Sequence, residues 1–276
     1  MTFKNTVSES HLHDSLLKGG LATILLLLFW ILKVSGICTV TDLIITLPFF
    51  LFFYFTQFTI GKKSVILAFQ QWIGKNRWNA LLFPSVMALL YIAYLLINGQ
   101  KILAGNPLLL VYIIYFPVVV FALRNEPERK VGWLDFTVFV LALLPSALFS
   151  IKQNSEMPVS GGGFDSISHI MIILSGVYAF AIVRGLKEVG FVLELRWKSL
   201  LTALLVWIAF YSLVFVFGSA VDFIKIVGYN EPMDVLVKTI LFTVIGTFLH
   251  TALFEELFFR GILQNMLARR IGQGKS

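Results

Sequence analysis

The sequence predicts an all-α membrane protein, a bundle of about eight transmembrane helices. Three observations carry that reading. Of 276 residues, 58% are hydrophobic and only 13% charged, and the mean hydropathy is +0.87, far above that of a water-soluble globular chain. Apolar runs of nearly spanning length recur along the whole chain. The basic residues between those runs fall on alternate sides, as membrane topology demands.

Spans need roughly 20 apolar residues each to cross about 30 Å of hydrocarbon. The predicted spans are Leu17–Gly36, Thr39–Ile60, Ala80–Ile97, Pro107–Leu123, Trp133–Ile151, Ser168–Val183, Ser199–Phe217 and Val235–Leu267. The first lacks a small-x-small cleavage pattern and is followed directly by a second apolar run, so it reads as a retained helix rather than a signal peptide. With this count, sixteen lysines and arginines lie at the N-terminus, in alternate loops and in the tail, against four in the remaining loops. The excess puts both termini in the cytoplasm. The net charge of +7 therefore reports orientation and contact with anionic lipid, and no nucleic-acid partner is expected.

Between the second and third spans, Lys62–Trp78 mixes basic residues with Phe69, Trp72, Ile73 and Trp78, the composition of a short helix on the cytoplasmic surface. Pro48, Pro84, Pro117 and Pro145 fall inside predicted spans, where neighbouring helices can satisfy the freed carbonyls, and each predicts a kink. Gly161–Gly163, amid Ser and Pro, predicts a flexible external loop. The single cysteine, Cys38, rules out an internal disulfide and a cysteine-built metal site. The terminal GQGKS is no phosphate loop: Arg269 stands where the first glycine belongs.

Chemistry concentrates in the last span. LHTALFEELFFRG, Leu249–Gly261, places Glu255, Glu256 and Arg260 within an apolar helix, and an ionisable residue at bilayer depth costs about 3 kcal/mol or more. Glu256 and Arg260 are four apart with the acid first, so a helix puts them on one face as an ion pair. Glu255 lies about 100° round the helix with no partner at that spacing. An unpaired buried carboxylate has a raised pKa and is a candidate general base for water. Counted from Lys238 at 1.5 Å per residue, Glu255 is expected about 26 Å deeper, close to the cytoplasmic edge of the hydrocarbon. The structural alternative is that both glutamates pair with basic groups on other helices and only fix packing. Asp42, Asp135 and Asp234 fall at helix starts, where a carboxylate complements the dipole. His169 and His250 read as satisfied packing histidines, and no metal or other cofactor is expected.

FEELFFRG, Phe254–Gly261, resembles the Glu-Glu-x-x-x-Arg motif of the CPBP intramembrane proteases, the family of the Rce1-type CAAX prenyl endopeptidases and bacteriocin-processing relatives. VRGLKEVGFVLELRW, Val183–Trp197, is similar to the Gly-Phe and basic-aromatic segment leading into that family's core helices. The resemblance implies proteolysis of membrane-attached peptides or proteins by a glutamate-activated water. It makes Glu255 the catalytic carboxylate and Glu256 with Arg260 its supporting pair. It also implies a Phe-x-x-x-His motif and a His-x-x-x-Asn/Asp motif downstream. The sequence reaches Ser276 before either, so the expectation is a truncated or incomplete member, completed by a second polypeptide if it is active. Residues 1–180 then form the N-terminal transmembrane helices with the surface helix, and 181–276 the CPBP-like region. The expected location is the bacterial inner membrane. Two rivals stand beside this reading: a non-catalytic family member acting as membrane scaffold or immunity protein, and a proton-coupled transporter. The second is weaker, because buried charge is confined to one helix.

Overall fold

The computed structural model describes residues 9–100, 106–124, 131–148, 156–159, 161–187, 189, 197–221, 223 and 232–273. Among them the regular secondary structure is all helical, apart from one isolated bridge between Glu156 and Ser166. The elements are α1 (Glu9–Val34), α2 (Val40–Thr59), α3 (Lys63–Lys75), α4 (Leu82–Ile97), α5 (Asn106–Leu123) and α6 (Trp133–Leu148). They continue with α7 (Ile167–Val177), α8 (Trp197–Ala220), α9 (Met233–Thr247), the three-residue α10 (Leu253–Glu255) and α11 (Asn265–Gln273). Stretches of π-helix extend α7 through Tyr178–Val183, join α9 to α10 through Phe248–Ala252, and join α10 to α11 through Glu256–Gln264.

Each predicted span finds its helix. Five helical stretches are apolar and long enough to cross a membrane, and the shorter apolar helices Leu110–Leu123, Trp133–Leu144 and Ile167–Val183 supply the other three. The protein is an all-α membrane helix bundle. Local chemistry starts the helices where it should: Thr39 caps α2 in a reciprocal box with Asp42, and the Ser166 hydroxyl accepts the His169 amide at the start of α7.

The chain forms two compact units, Val192–Leu241 on one hand and Met1–Phe191 with Phe242–Ser276 on the other. In the larger unit the organising element is α7. Every residue from Ile167 to Ile182 is buried except His169, so this helix is apolar all round and belongs in an interior. Helices α2, α4 and α5 pack against it, α1 packs on α2, and α6 on α5. Polar groups in this core are paired across helices: the Ser175 hydroxyl donates to the Ile114 carbonyl, and the Tyr178 hydroxyl to the Ala80 carbonyl. Exposed leucines and isoleucines on α1, among them Leu17, Leu21, Leu25 and Leu32, form the outward face that lipid would wet.

Several expectations are revised. The stretch Lys62–Trp78 does form a helix, α3, but it is docked on the bundle. Phe69 packs edge-on against Phe83 and Tyr178, and the Gln70 amide donates to the Ala181 carbonyl. Pro84 falls in the first turn of α4, where the missing N–H costs nothing, whereas Pro48 and Pro117 are interior to α2 and α5. The loop containing Gly161–Gly163, expected to be flexible, is pinned by α1 and α4. The Trp30 indole donates to the Met157 carbonyl, the Lys33 ammonium to the Gly163 carbonyl and the Tyr94 hydroxyl to the Glu156 carbonyl. Gly161 and Gly162 have φ near +97° and +99°, so their role is a left-handed turn rather than slack.

Asp135, expected only to complement a helix start, also accepts the Arg184 guanidinium through both oxygens, at 2.6 and 3.3 Å, and the Gly132 amide at 2.8 Å. Arg124 approaches the same carboxylate at 3.4 Å. This wholly buried group ties α6 to the end of the π-helical extension of α7.

Candidate functional site

The segment carrying the acid–acid–base motif lies along α7 in parallel. The Phe254 ring sits 5.1 Å from the His169 ring, Phe258 fills the space over Gly176, and the Asn265 amide and Arg269 guanidinium both donate to the Lys187 carbonyl beyond the far end of α7. At Gly176 a Cβ would stand 2.5 Å from the Phe258 ring, so glycine permits the close approach. The motif is therefore held by its apolar residues. Leu253, Leu257, Phe258 and Ile262 are buried, and the acids are carried on the opposite face.

That placement separates the predicted site residues. Glu256 and Arg260 do pair as their spacing requires, with the guanidinium donating at 2.9 and 3.3 Å to the two carboxylate oxygens. The pair is open, with side chains 57% and 72% exposed. Glu255 is exposed rather than buried, and no hydrogen-bond partner for it is present among the described residues. Glu255 follows Phe254, whose ring lies against that of His169 near the beginning of α7.

The structure assembles a second polar group that sequence reasoning did not. Asp165 accepts hydrogen bonds from two histidines, His169 Nδ1 on Oδ2 and His250 Nδ1 on Oδ1, both at 2.6 Å. The imidazoles lie 4.3 Å apart, tilted by 40°. The Asp165 side chain is fully buried, while those of His169 and His250 are 13% and 31% exposed. Burial alone would push this carboxyl up. The hydrogen bonds and charges of the two histidines outweigh it and hold Asp165 below the usual carboxylate range.

Three local features position the group. The pinned loop delivers Asp165, whose Oδ1 also accepts the Ser166 amide at 2.7 Å. Four residues later on α7, His169 returns to the same carboxylate. His250 arrives within the π-helical turn Phe248–Ala252, an irregularity that re-aims side chains and recurs at functional sites. The packing role expected of the two histidines is thus met by one shared carboxylate. The Asp165-x-x-x-His169 spacing was visible in the sequence; the 85-residue separation of His250 from Asp165 hid the third member. These three residues are also a chelating set, with one candidate ligand atom from each lying within 4.8 Å of the others.

The fold and motif together define a polytopic helical membrane protein with an acid–acid–base motif on a helix docked along a buried one. Residues 236–276 match the family model for Rce1-like proteins, type II CAAX prenyl endopeptidase Rce1-like, which supports assignment to the CPBP/Rce1-like family. The matched segment contains Glu255, Glu256, Arg260 and His250. Of the other stretch of resemblance, Val183–Trp197, residues 188 and 190–196 lie outside the described residues. No curated protein and no solved structure matches the chain.

Proposed function

We propose that this chain is a CPBP-type intramembrane endopeptidase that cleaves membrane-attached peptides or proteins with water activated by Glu255. The observation that carries the proposal is the FEELFFRG motif inside the matched residues 236–276. The Glu255 carboxylate takes a proton from water as the oxygen adds to the scissile carbonyl carbon. The same proton then passes to the departing amine when the C–N bond breaks. Glu256 and Arg260, paired with each other, form the ion pair that supports Glu255 in this reading. Glu255 is exposed on the face opposite the Phe258 anchor, so a substrate has direct access to it. The excess of lysine and arginine in alternate loops supports a reading in which both termini face the cytoplasm, and the membrane of that reading is a bacterial inner membrane.

The exposure of Glu255 and Glu256 also favours a second reading, a non-catalytic family member that engages membrane proteins as a scaffold or immunity factor. One comparison separates the two. Wild type, Glu255→Gln and Glu256→Gln are reconstituted in vesicles with a membrane-tethered peptide, and cleavage is followed by mass spectrometry. The protease reading predicts cleavage by wild type and a loss of a hundredfold or more, on the order of what a positioned general base contributes, in Glu255→Gln. Equal cleavage by wild type and Glu255→Gln, or none by either, favours the scaffold.

A further inference from the structure

We propose that Asp165, His169 and His250 form a binding site for a divalent transition-metal ion of the zinc class, separate from Glu255, Glu256 and Arg260. Two imidazoles and a carboxylate are the ligand types that borderline cations such as zinc select, and three protein ligands leave a fourth position for water. The three candidate ligand atoms already lie within 4.8 Å of one another, on segments brought together only by the fold.

The setting is that of a built site rather than a surface coincidence. Asp165 has no exposed side-chain area, and its loop is fastened by Trp30, Lys33 and Tyr94. The buried Tyr54 hydroxyl of α2, a helix packed against α7, has no hydrogen-bond partner among the described residues. A buried hydroxyl left unsatisfied costs about 1–3 kcal/mol, and a metal-bound water is a partner that would relieve it. Zinc bonds of about 2.0–2.2 Å in a tetrahedron place ligand atoms roughly 3.3 Å apart. The present N···O separations of 2.6 Å would open toward that value, and the widest spacing in the set, within 4.8 Å, would close toward it. Coordination through Nδ1 requires each imidazole to give up the Nδ1 proton that it donates to Asp165 and to keep one on Nε2, so binding is expected to weaken as pH falls. His250 belongs to the helix that carries the motif, so a bound ion would clamp that helix to the start of α7.

The test uses the full chain, purified in detergent without a histidine tag and freed of metal by chelator. Zinc binding is followed by elemental analysis after gel filtration, and cobalt(II) is used as a coloured probe. The proposal predicts about one zinc per chain, a raised unfolding temperature with zinc, and an intense visible cobalt band typical of tetrahedral nitrogen and oxygen ligands. His169→Gln and His250→Gln should each weaken binding roughly tenfold or more, whereas Glu255→Gln should retain it. Zinc content equal in wild type and both histidine variants overturns the proposal. Should either variant fail to remain monodisperse, the wild-type cobalt spectrum decides, and absence of the tetrahedral band overturns it.

Discussion

Asp165 shows how much one buried carboxylate can organise. It receives two imidazoles and a backbone amide while fully enclosed. Because its folded pKa is depressed, it contributes stability that is present above the ordinary carboxylate value near 4 and lost as pH falls through the lower folded value. Thermal unfolding in detergent from about pH 6 to pH 3 should therefore show an acid loss in wild type that Asp165→Asn lacks; identical pH profiles for the two would contradict it. At this scale, short-range chemistry was readable in the sequence and long-range chemistry was not. The Glu256–Arg260 pair follows from four-residue spacing and forms as expected. The orientation of Glu255 depends on which helix face is buried, and that is decided by Phe258 meeting Gly176, a contact between residues 82 positions apart that no local pattern announces.

Among elements, the docking of the motif helix on α7 depends on the missing Cβ at Gly176. A valine there would drive side-chain atoms into the Phe258 ring and should destabilise the protein by about 1–3 kcal/mol, the usual cost of overpacking. Combination with Phe258→Leu should recover part of that loss, and denaturation of the four proteins of the cycle measures it. The second fastening is Asp135 with Arg184, both buried, joining α6 to the end of the α7 extension. Asp135→Ala removes a buried carboxylate from the Arg184 guanidinium and should cost about 3–5 kcal/mol, read as a fall in unfolding midpoint. The sequence placed Asp135 at a helix start, which is correct, but local spacing could not supply the arginine 49 residues away. Helix α3 was recognisable from its amphipathic composition. That it packs through Phe69 and Gln70 onto the bundle could not be read, because aromatic residues suit a lipid interface and a protein groove equally.

For the molecule as a whole, the membrane class was the most legible property, because hydrophobic spans are written locally, in runs such as Leu21–Leu32, and need no tertiary contact to be seen. The apolar outward face of α1 predicts that the protein stays in the membrane pellet after alkaline carbonate washing and is released only by detergent; release by carbonate would contradict the spanning assignment. Function sits at the opposite extreme, since the proposed catalysis depends on what approaches the exposed face of Glu255. Its most direct test is hydrolysis in water enriched in oxygen-18, using wild type in vesicles with a membrane-tethered peptide and Glu255→Gln as the comparison. The new C-terminal carboxylate from wild type is expected to carry one solvent oxygen-18, and Glu255→Gln to yield little product. Undiminished labelled product from Glu255→Gln would contradict it.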